Sequence, residues 1–319
     1  MLPRCDLAIT LTSPPGLAAV GWLLRIIRGT RFWSWEMDLY PDVAVGVGTI
    51  RKDSWIACIL TRALDAPRRA ADGVITLGTC MRRRILSHGA NPTKVFIAEN
   101  WSDGRAIVPK PFPPESPLLI QYSGNLGLAH EVDTIAAAML ELSASSEHRF
   151  EFIGDGVRRP DLVQFANEHR IPNIRFGPYV ARDQISDSLG SCHIGLVTLL
   201  PACLGTVVPS KVYSLLAAGR PFLFIGPNES TPADLIRRHA CGWHVEPGDV
   251  KGVVSILQLL AGEPWRVKAA GDAARTLFEA SYDRPIGAAR VADLLVGPRT
   301  MNEMLTDHET AGRLTTAGF

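Results

Sequence analysis

The sequence predicts an α/β protein of two domains, each built on a parallel sheet. Three observations point there. At 319 residues with 46% hydrophobic residues, the chain is long enough for two cores. Short apolar runs alternate with helical stretches, the pattern of parallel strands joined by helices that cover the sheet. Between the two runs of alternation lies SDGRAIVPKPFPPESP, with five prolines between Pro109 and Pro117. That composition reads as a semi-extended linker that folds poorly into either neighbour.

The elements follow in order. Asp6 to Leu11 is an apolar strand, and Thr12-Ser-Pro-Pro-Gly is the loop at its end. Leu17 to Ile27 is a helix with Trp22, Leu23, Ile26 and Ile27 apolar and Arg25 and Arg28 polar. It reads either as a helix packed on the sheet with arginines outward, or as a basic-apolar patch for an anionic membrane surface. Arg31 to Trp35 is a second strand, ending in WEMDLYPD. Glu36 and Asp38 share one side of that extended segment by its period of two. Just past a strand of an open α/β sheet, they are placed for acid–base or electrostatic chemistry. Equally, Asp38 is placed to cap a turn before Pro41. A mixed-face helix over Asp53 to Ala71, a strand at Gly73 to Leu77, a helix at Cys80 to His88 and a strand at Lys94 to Ala98 complete the first half. The triplet Arg82-Arg83-Arg84 reads as a solvated face, with phosphate or lipid-headgroup contact as the other reading.

The second half predicts strands at Leu118–Ser123, Arg149–Ile153, Asn173–Phe176, Cys192–Val197, Pro221–Ile225 and Gly242–Val245. Helices are expected at Glu131–Leu142, Arg158–His169, Arg182–Leu189 and Pro232–His239. Two turns, Ser123-Gly-Asn-Leu-Gly and Gly154-Asp-Gly, follow strands directly and let backbone approach a ligand closely. Neither is a GxGxxG, so a dinucleotide fingerprint is not supported. The stretch GTVVPSKVYSLLAAGRPFLFIGP, Gly205 to Pro227, organises this half. Ser210 is the expected N-cap, Lys211 to Ala218 the helix, Gly219 a left-handed C-cap and Phe222 to Ile225 a strand buried on both faces. The helix start and Lys211 offer a site for a phosphate or diphosphate; a plain helix–strand connection with a solvated lysine is the alternative.

Net charge is +1, so no global field argues for nucleic acid, and none is expected as a partner. The six cysteines are scattered, without a CxxC pair or a His/Cys cluster, and read as reduced thiols. No run reaches the ~20 apolar residues that a membrane-spanning helix needs, and no charged-then-apolar leader opens the chain.

Taken together, DLAITLTSPP, WEMDLYPD, ENW, YSGNLGLAHEVDTIAAA, FEFIGDG, NIRFGPY, VVPSKVYSLLAAGRPFLF and YDRP resemble glycosyltransferase family 4, in register from about Asp6 to about Leu295. The bacterial exopolysaccharide, colanic-acid-type branch is the most similar. The resemblance implies a GT-B fold: two Rossmann-like domains with parallel sheets facing across a cleft, the second holding a nucleotide-sugar. It divides the chain into an acceptor-side domain at 1–108, a linker at 109–117, a donor domain at 118–284, a helix at 285–297 packing back across the linker, and a disordered tail at 298–319. Family members carry further βα units ahead of a strand like DLAITL, so the first domain is expected to be incomplete by two or three units of about 30 residues each.

Site roles carry over by position. Gly124 and Asn125 resemble the turn over the diphosphate, with Asn125 where many members have arginine and His130 where they have lysine. That leaves Lys211, backbone N–H groups and His130 to hold the phosphates. Gly154 resembles the glycine of the second turn beside the nucleotide, and the Pro178-Tyr179-Val180 backbone the segment that reads the base. Pro209 and Ser210 belong to the loop before Lys211. The family's Glu-x7-Glu falls on Thr206 and Ser214, so both carboxylates are absent. The family's catalytic-region histidine falls near Met37, and Asp38 beside it is the expected acidic group. The resemblance implies retaining transfer of a hexosyl group from a nucleoside diphosphate sugar, with Lys211 stabilising the leaving diphosphate. It also implies a lipid-linked saccharide acceptor at the inner membrane face, and so a peripheral cytoplasmic protein. No metal or other cofactor is implied. Two other readings remain: a non-catalytic nucleotide-sugar-binding chain, and a UDP-sugar 2-epimerase-like enzyme on the same fold.

Overall fold

The computed structural model describes residues 5–296. The expected tail at 298–319 lies outside the described residues. The first sheet has four parallel strands in the order β1-β2-β3-β4: β1 (Leu7–Leu11), β2 (Arg31–Glu36), β3 (Gly73–Thr76) and β4 (Val95–Ile97). Its crossovers are α1 (Ala18–Arg28), the short α2 (Asp42–Gly46) followed by α3 (Trp55–Ala70), and α4 (Thr79–Ser87). Gly21 lets α1 lie directly on the sheet, since a Cβ there would sit 2.3 Å from the Phe32 ring. Ser54 caps α3 by accepting from the Ala57 N–H. β1 is an edge strand, and its Ile9 and Leu11 are exposed.

The second sheet has six parallel strands in the order β10-β9-β8-β5-β6-β7. These are β5 (Leu118–Ser123), β6 (His148–Ile153), β7 (Ile174–Gly177), β8 (Ile194–Thr198), β9 (Phe222–Ile225) and β10 (Gly242–Val245). Counted from β5, the order is that of a doubly wound nucleotide-binding sheet, with its switch point between β5 and β8. The connecting helices are α5 (Asp133–Glu141), α6 (Arg159–Glu168), α7 (Ile185–Gly190), α8 (Lys211–Ala217) and α9 (Thr231–His239). The four residues of β9 are all buried, as their apolar run predicts, and Gly219 has the expected left-handed φ of +64°. α10 (Val250–Gly262) and α11 (Pro264–Leu277) were not anticipated; they close the far side of this domain. α12 (Arg284–Val296) returns to the first sheet, where Val291 and Leu295 pack with Trp33 and Ile75.

The prolyl segment is less free than its composition suggests. Buried Arg220 donates to the carbonyls of Lys110 and Pro111 and lies over the Phe112 ring. His193 Nε2 meets the Pro114 carbonyl at 2.9 Å. The segment is thereby fastened to the second domain, because its carbonyls join that of Gly190 in accepting from a buried guanidinium. The YDRP motif has a comparable role: Asp283 accepts from the Gly104 N–H and the Tyr282 hydroxyl donates to Glu99. Across the cleft the Leu39 N–H donates to the Thr206 carbonyl at 2.7 Å, and Arg83 donates to the Glu229 carbonyl.

Candidate functional site

Strand ends build the site. β5, β6 and β7 finish in three turns that stack on one another. The Gly124 N–H donates to the Ile153 carbonyl, and the Gly154 N–H donates to the Gly177 carbonyl. Gly124 and Gly154 have φ values of +123° and +118°, which side chains disfavour. A Cβ on Gly154 would also sit 2.3 Å from the Gly124 carbonyl oxygen. Tyr179 follows in the third turn, beside Gly154.

Lys211 crosses this stack from the start of α8. Its Cε lies where a Gly124 side chain would go, 2.8 Å from the ideal Cβ. Its ammonium sits over the Tyr122 ring, 4.9 Å from the centroid, and donates to the Asn125 carbonyl at 3.3 Å. No carboxylate pairs with it among the described residues. Burial without a counter-ion pushes its pKa down from 10.5 to about 8. α8 is only seven residues long, and Ser210 takes helical backbone angles with no side-chain cap. The expected Ser210 N-cap is therefore not formed, and the positive charge facing the cleft is chiefly that of Lys211.

Two cavities meet at Lys211. The larger, about 760 Å³, opens between the domains and is lined by Asp38, Asn125, His130, Pro209, Ser210 and Lys211 among others. The smaller, about 220 Å³, is lined by Gly124, Tyr179, Val180, Ser214 and again Lys211. Asp38 enters the larger cavity from the first domain. Its backbone pairs with Val207 and its N–H donates to Thr12, while its carboxylate has no hydrogen bond among the described residues. Burial raises its pKa. The turn-capping alternative for Asp38 is not realised.

Four expectations are corrected. His130 reaches the cleft but not as a cation. Burial, then the nearby Lys211, lowers its pKa to about 4. The ring is held at both nitrogens: Nδ1 lies 3.1 Å from the Thr198 carbonyl and 3.2 Å from its hydroxyl, Nε2 lies 3.2 Å from the Tyr122 hydroxyl, and that hydroxyl donates to the Asn125 carbonyl. His130 thus steadies the turn. Thr206 is fully buried, and its hydroxyl donates to the Cys203 carbonyl; its side chain braces the loop and lines neither cavity. Glu36 parts company with Asp38: it is buried, accepting from Ser34 and paired with Arg68 at 3.1 Å. The arginine triplet is not one solvated face. Arg82 donates to the Val95 carbonyl, Arg83 to the Glu229 carbonyl, and Arg84 pairs with Asp42 at 2.7 Å.

Sequence reasoning missed Tyr40 and Thr49, which line the larger cavity from either side of α2, and Thr198 at the end of β8. Thr198 sits at the sheet's switch point, a position that strand order alone reveals. Gly156 was noted only as part of its turn; its φ of +137° and the Leu126 carbonyl 2.4 Å from its ideal Cβ show why glycine stands there.

No family model matches the chain. Among curated proteins it is similar to "Probable glycosyltransferase WbjE" of Pseudomonas aeruginosa, at 23% identity over 299 residues, covering 91% of this chain and 74% of that protein. It is also similar to "Putative colanic acid biosynthesis glycosyl transferase WcaI" of Escherichia coli K12, at 25% identity over 225 residues, covering 66% of this chain and 54% of that protein. The chain spans about three quarters of the first and about half of the second. Among solved structures, Anabaena HepE in complex with UDP and glucose superposes with a TM-score of 0.74 at 12% identity, covering 92% of this chain and 78% of that one. Sucrose-phosphate synthase from Thermosynechococcus elongatus superposes with a TM-score of 0.73 at 14% identity, covering 91% and 73%. The fold is the one shared by GT-B glycosyltransferases.

Proposed function

We propose that this chain, a glycosyltransferase of GT-B type, moves a hexosyl group from a nucleoside diphosphate sugar to a lipid-linked saccharide at the inner membrane face, with retention of anomeric configuration, in surface or exopolysaccharide assembly. The observation that carries the reading is Lys211, a half-buried cation without a carboxylate partner among the described residues, at the junction of two cavities. The smaller cavity takes the nucleoside, with Tyr179 and Val180 at the base and the Ser214 hydroxyl toward the ribose. The diphosphate meets the Lys211 ammonium and the Gly124–Asn125 backbone. The hexose then projects into the larger cavity, opposite Asp38. That HepE was solved with UDP-glucose supports this donor class. The WcaI likeness supports the polysaccharide setting.

Departure of the diphosphate breaks the bond from the anomeric carbon to the phosphate oxygen, and the electron pair leaves with that oxygen. The charged Lys211 stabilises it. With a pKa of about 8, about nine-tenths of Lys211 is protonated at pH 7 before any phosphate arrives. The acceptor hydroxyl attacks from the same face, and its proton passes to the departing phosphate oxygen. Asp38 stabilises the positive charge that develops at the anomeric carbon.

The test is a thermal-shift and calorimetric screen of UDP, GDP and their sugars, followed by NMR of the product linkage. One nucleotide should stabilise the protein and the product anomer should match the donor. Asp38→Asn should lower kcat by 10-fold or more with donor affinity unchanged. If no nucleotide stabilises a folded chain, the reading fails.

A further inference from the structure

A third cavity, about 670 Å³, lies outside the transfer site. It is lined from α2, α3 and α4, with Lys52, Arg62, Arg84 and His88 among its residues. It shares α2 with the larger transfer cavity: Val43 and Ala44 line that one, and Asp42, Val45 and Gly46 line this one. Its acid Asp42 is already held by Arg84 and His88. Lys52 and Arg62 have no ion pair or hydrogen bond among the described residues, and only Asp53 lies between them as an unpaired acid. Arg51 adjoins this cluster, so the mouth carries a surplus of positive charge.

The same helix that supplies Arg62 turns apolar side chains to solvent beside this mouth. Trp55 is 73% exposed, Ile59 54% and Ile56 44%. α1 packs against α3 and continues the face with exposed Leu23, Ile26 and Ile27. Large apolar side chains on two adjoining helices, next to unpaired cations, are poorly matched to water. They suit an interface where apolar groups enter the acyl boundary and cations meet headgroup phosphates. A protein partner would account for the apolar face, but not for the unpaired cations Lys52 and Arg62 lining the cavity beside it.

We infer that this face docks on an anionic phospholipid bilayer, with Trp55, Ile56 and Ile59 entering the headgroup boundary and a lipid phosphate held by Lys52 and Arg62. The docking deepens the proposed transfer and rests on that reading only for the lipid-linked acceptor. It brings α2, and so the mouth of the transfer cavity, to the membrane surface where such an acceptor resides.

The experiment is co-sedimentation of the full chain with vesicles of phosphatidylcholine alone and of phosphatidylcholine with phosphatidylglycerol. UDP calorimetry is run on the same samples. Binding should be at least 10-fold stronger to the mixed vesicles. At about 1 kcal/mol for each basic residue near the surface, Lys52→Ala with Arg62→Ala should weaken it about 30-fold. Trp55→Ser with Ile59→Ser should weaken binding to both vesicle types, and neither pair should alter the UDP response. Equal binding to both vesicles, or indifference to the charge pair, overturns the inference. So does stabilisation by inorganic phosphate without vesicle binding, which would assign the cavity to a soluble phosphate. Self-association without vesicle binding would assign the apolar face to a second copy. Loss of vesicle binding with UDP binding intact leaves the transfer reading standing; the reverse result sinks the transfer reading alone.

Discussion

Replacing Lys211 with methionine separates stability from function, with opposite signs. Methionine keeps the unbranched stem that crosses Gly124 and removes the charge. In the free protein that charge is costly. Burial moves the ammonium from 10.5 to about 8, which at 1.36 kcal/mol per pH unit disfavours the charged folded form by about 3 kcal/mol. Methionine also gives up the hydrogen bond to the Asn125 carbonyl and the cation–π interaction with Tyr122. Together these two return about 1–2 kcal/mol to the parent. The variant should therefore be more stable by about 1–2 kcal/mol at pH 7, with a Tm a few degrees higher. The pH dependence carries the same signature. The unfolded lysine holds its proton up to 10.5 and the folded one only to about 8, so this cost fades between pH 8 and 10.5. The variant's advantage should shrink across that window. Donor binding should move the other way. A charge-assisted hydrogen bond to a diphosphate contributes about 1.5–3 kcal/mol, so UDP affinity should fall about 10- to 150-fold. Thermal melts from pH 7 to 10 and UDP calorimetry read both effects. A variant that melts lower and binds UDP as tightly as the parent would refute the argument that Lys211 is held unpaired for a phosphate.

Three more outcomes are expected. His88 lies between Asp42 and Asp65, whose hydrogen bonds raise its pKa from 6.5 to about 9. Its contribution, on the order of 3 kcal/mol, is fully present below pH 6.5 and is lost as the pH rises through 9, so His88→Leu should flatten the fall in stability over that window in urea titrations. Gly154→Ala should cost about 1–3 kcal/mol of strain and drive its methyl into the Gly124 carbonyl, so UDP binding should be lost while circular dichroism stays native. Thr206→Val should cost about 1 kcal/mol of stability and leave UDP affinity unchanged; a marked loss of affinity would return Thr206 to the donor site.

The sequence by itself determined the ten strands and most of the helices, because each rests on local chain properties. Phe222 to Ile225 is apolar throughout because both faces are covered, and Gly219 stands where only a left-handed residue ends the helix. The strand-end turns at Gly124 and Gly154 were legible for the same reason: a glycine straight after an apolar run marks a close backbone approach. α10 and α11 follow the last motif that resemblance marked in the core of the donor half, and they went unread.

Only the tertiary structure decided which charged groups are free. Glu36 and Asp38 are two residues apart and look alike in sequence. Arg68, 32 residues beyond Glu36, reaches the first and not the second, so one is buried in an ion pair and the other faces the cleft. Three consecutive arginines take three unrelated partners. His130 was expected to help hold the phosphates, yet desolvation and then Lys211 lower its pKa to about 4. Thr206 was placed by spacing and is buried by the contact its backbone makes with Leu39 of the other domain. Backbone preference is set by neighbours in the chain. Charge state depends on desolvation and on partners brought from tens to hundreds of residues away, and these exist only once the chain has folded.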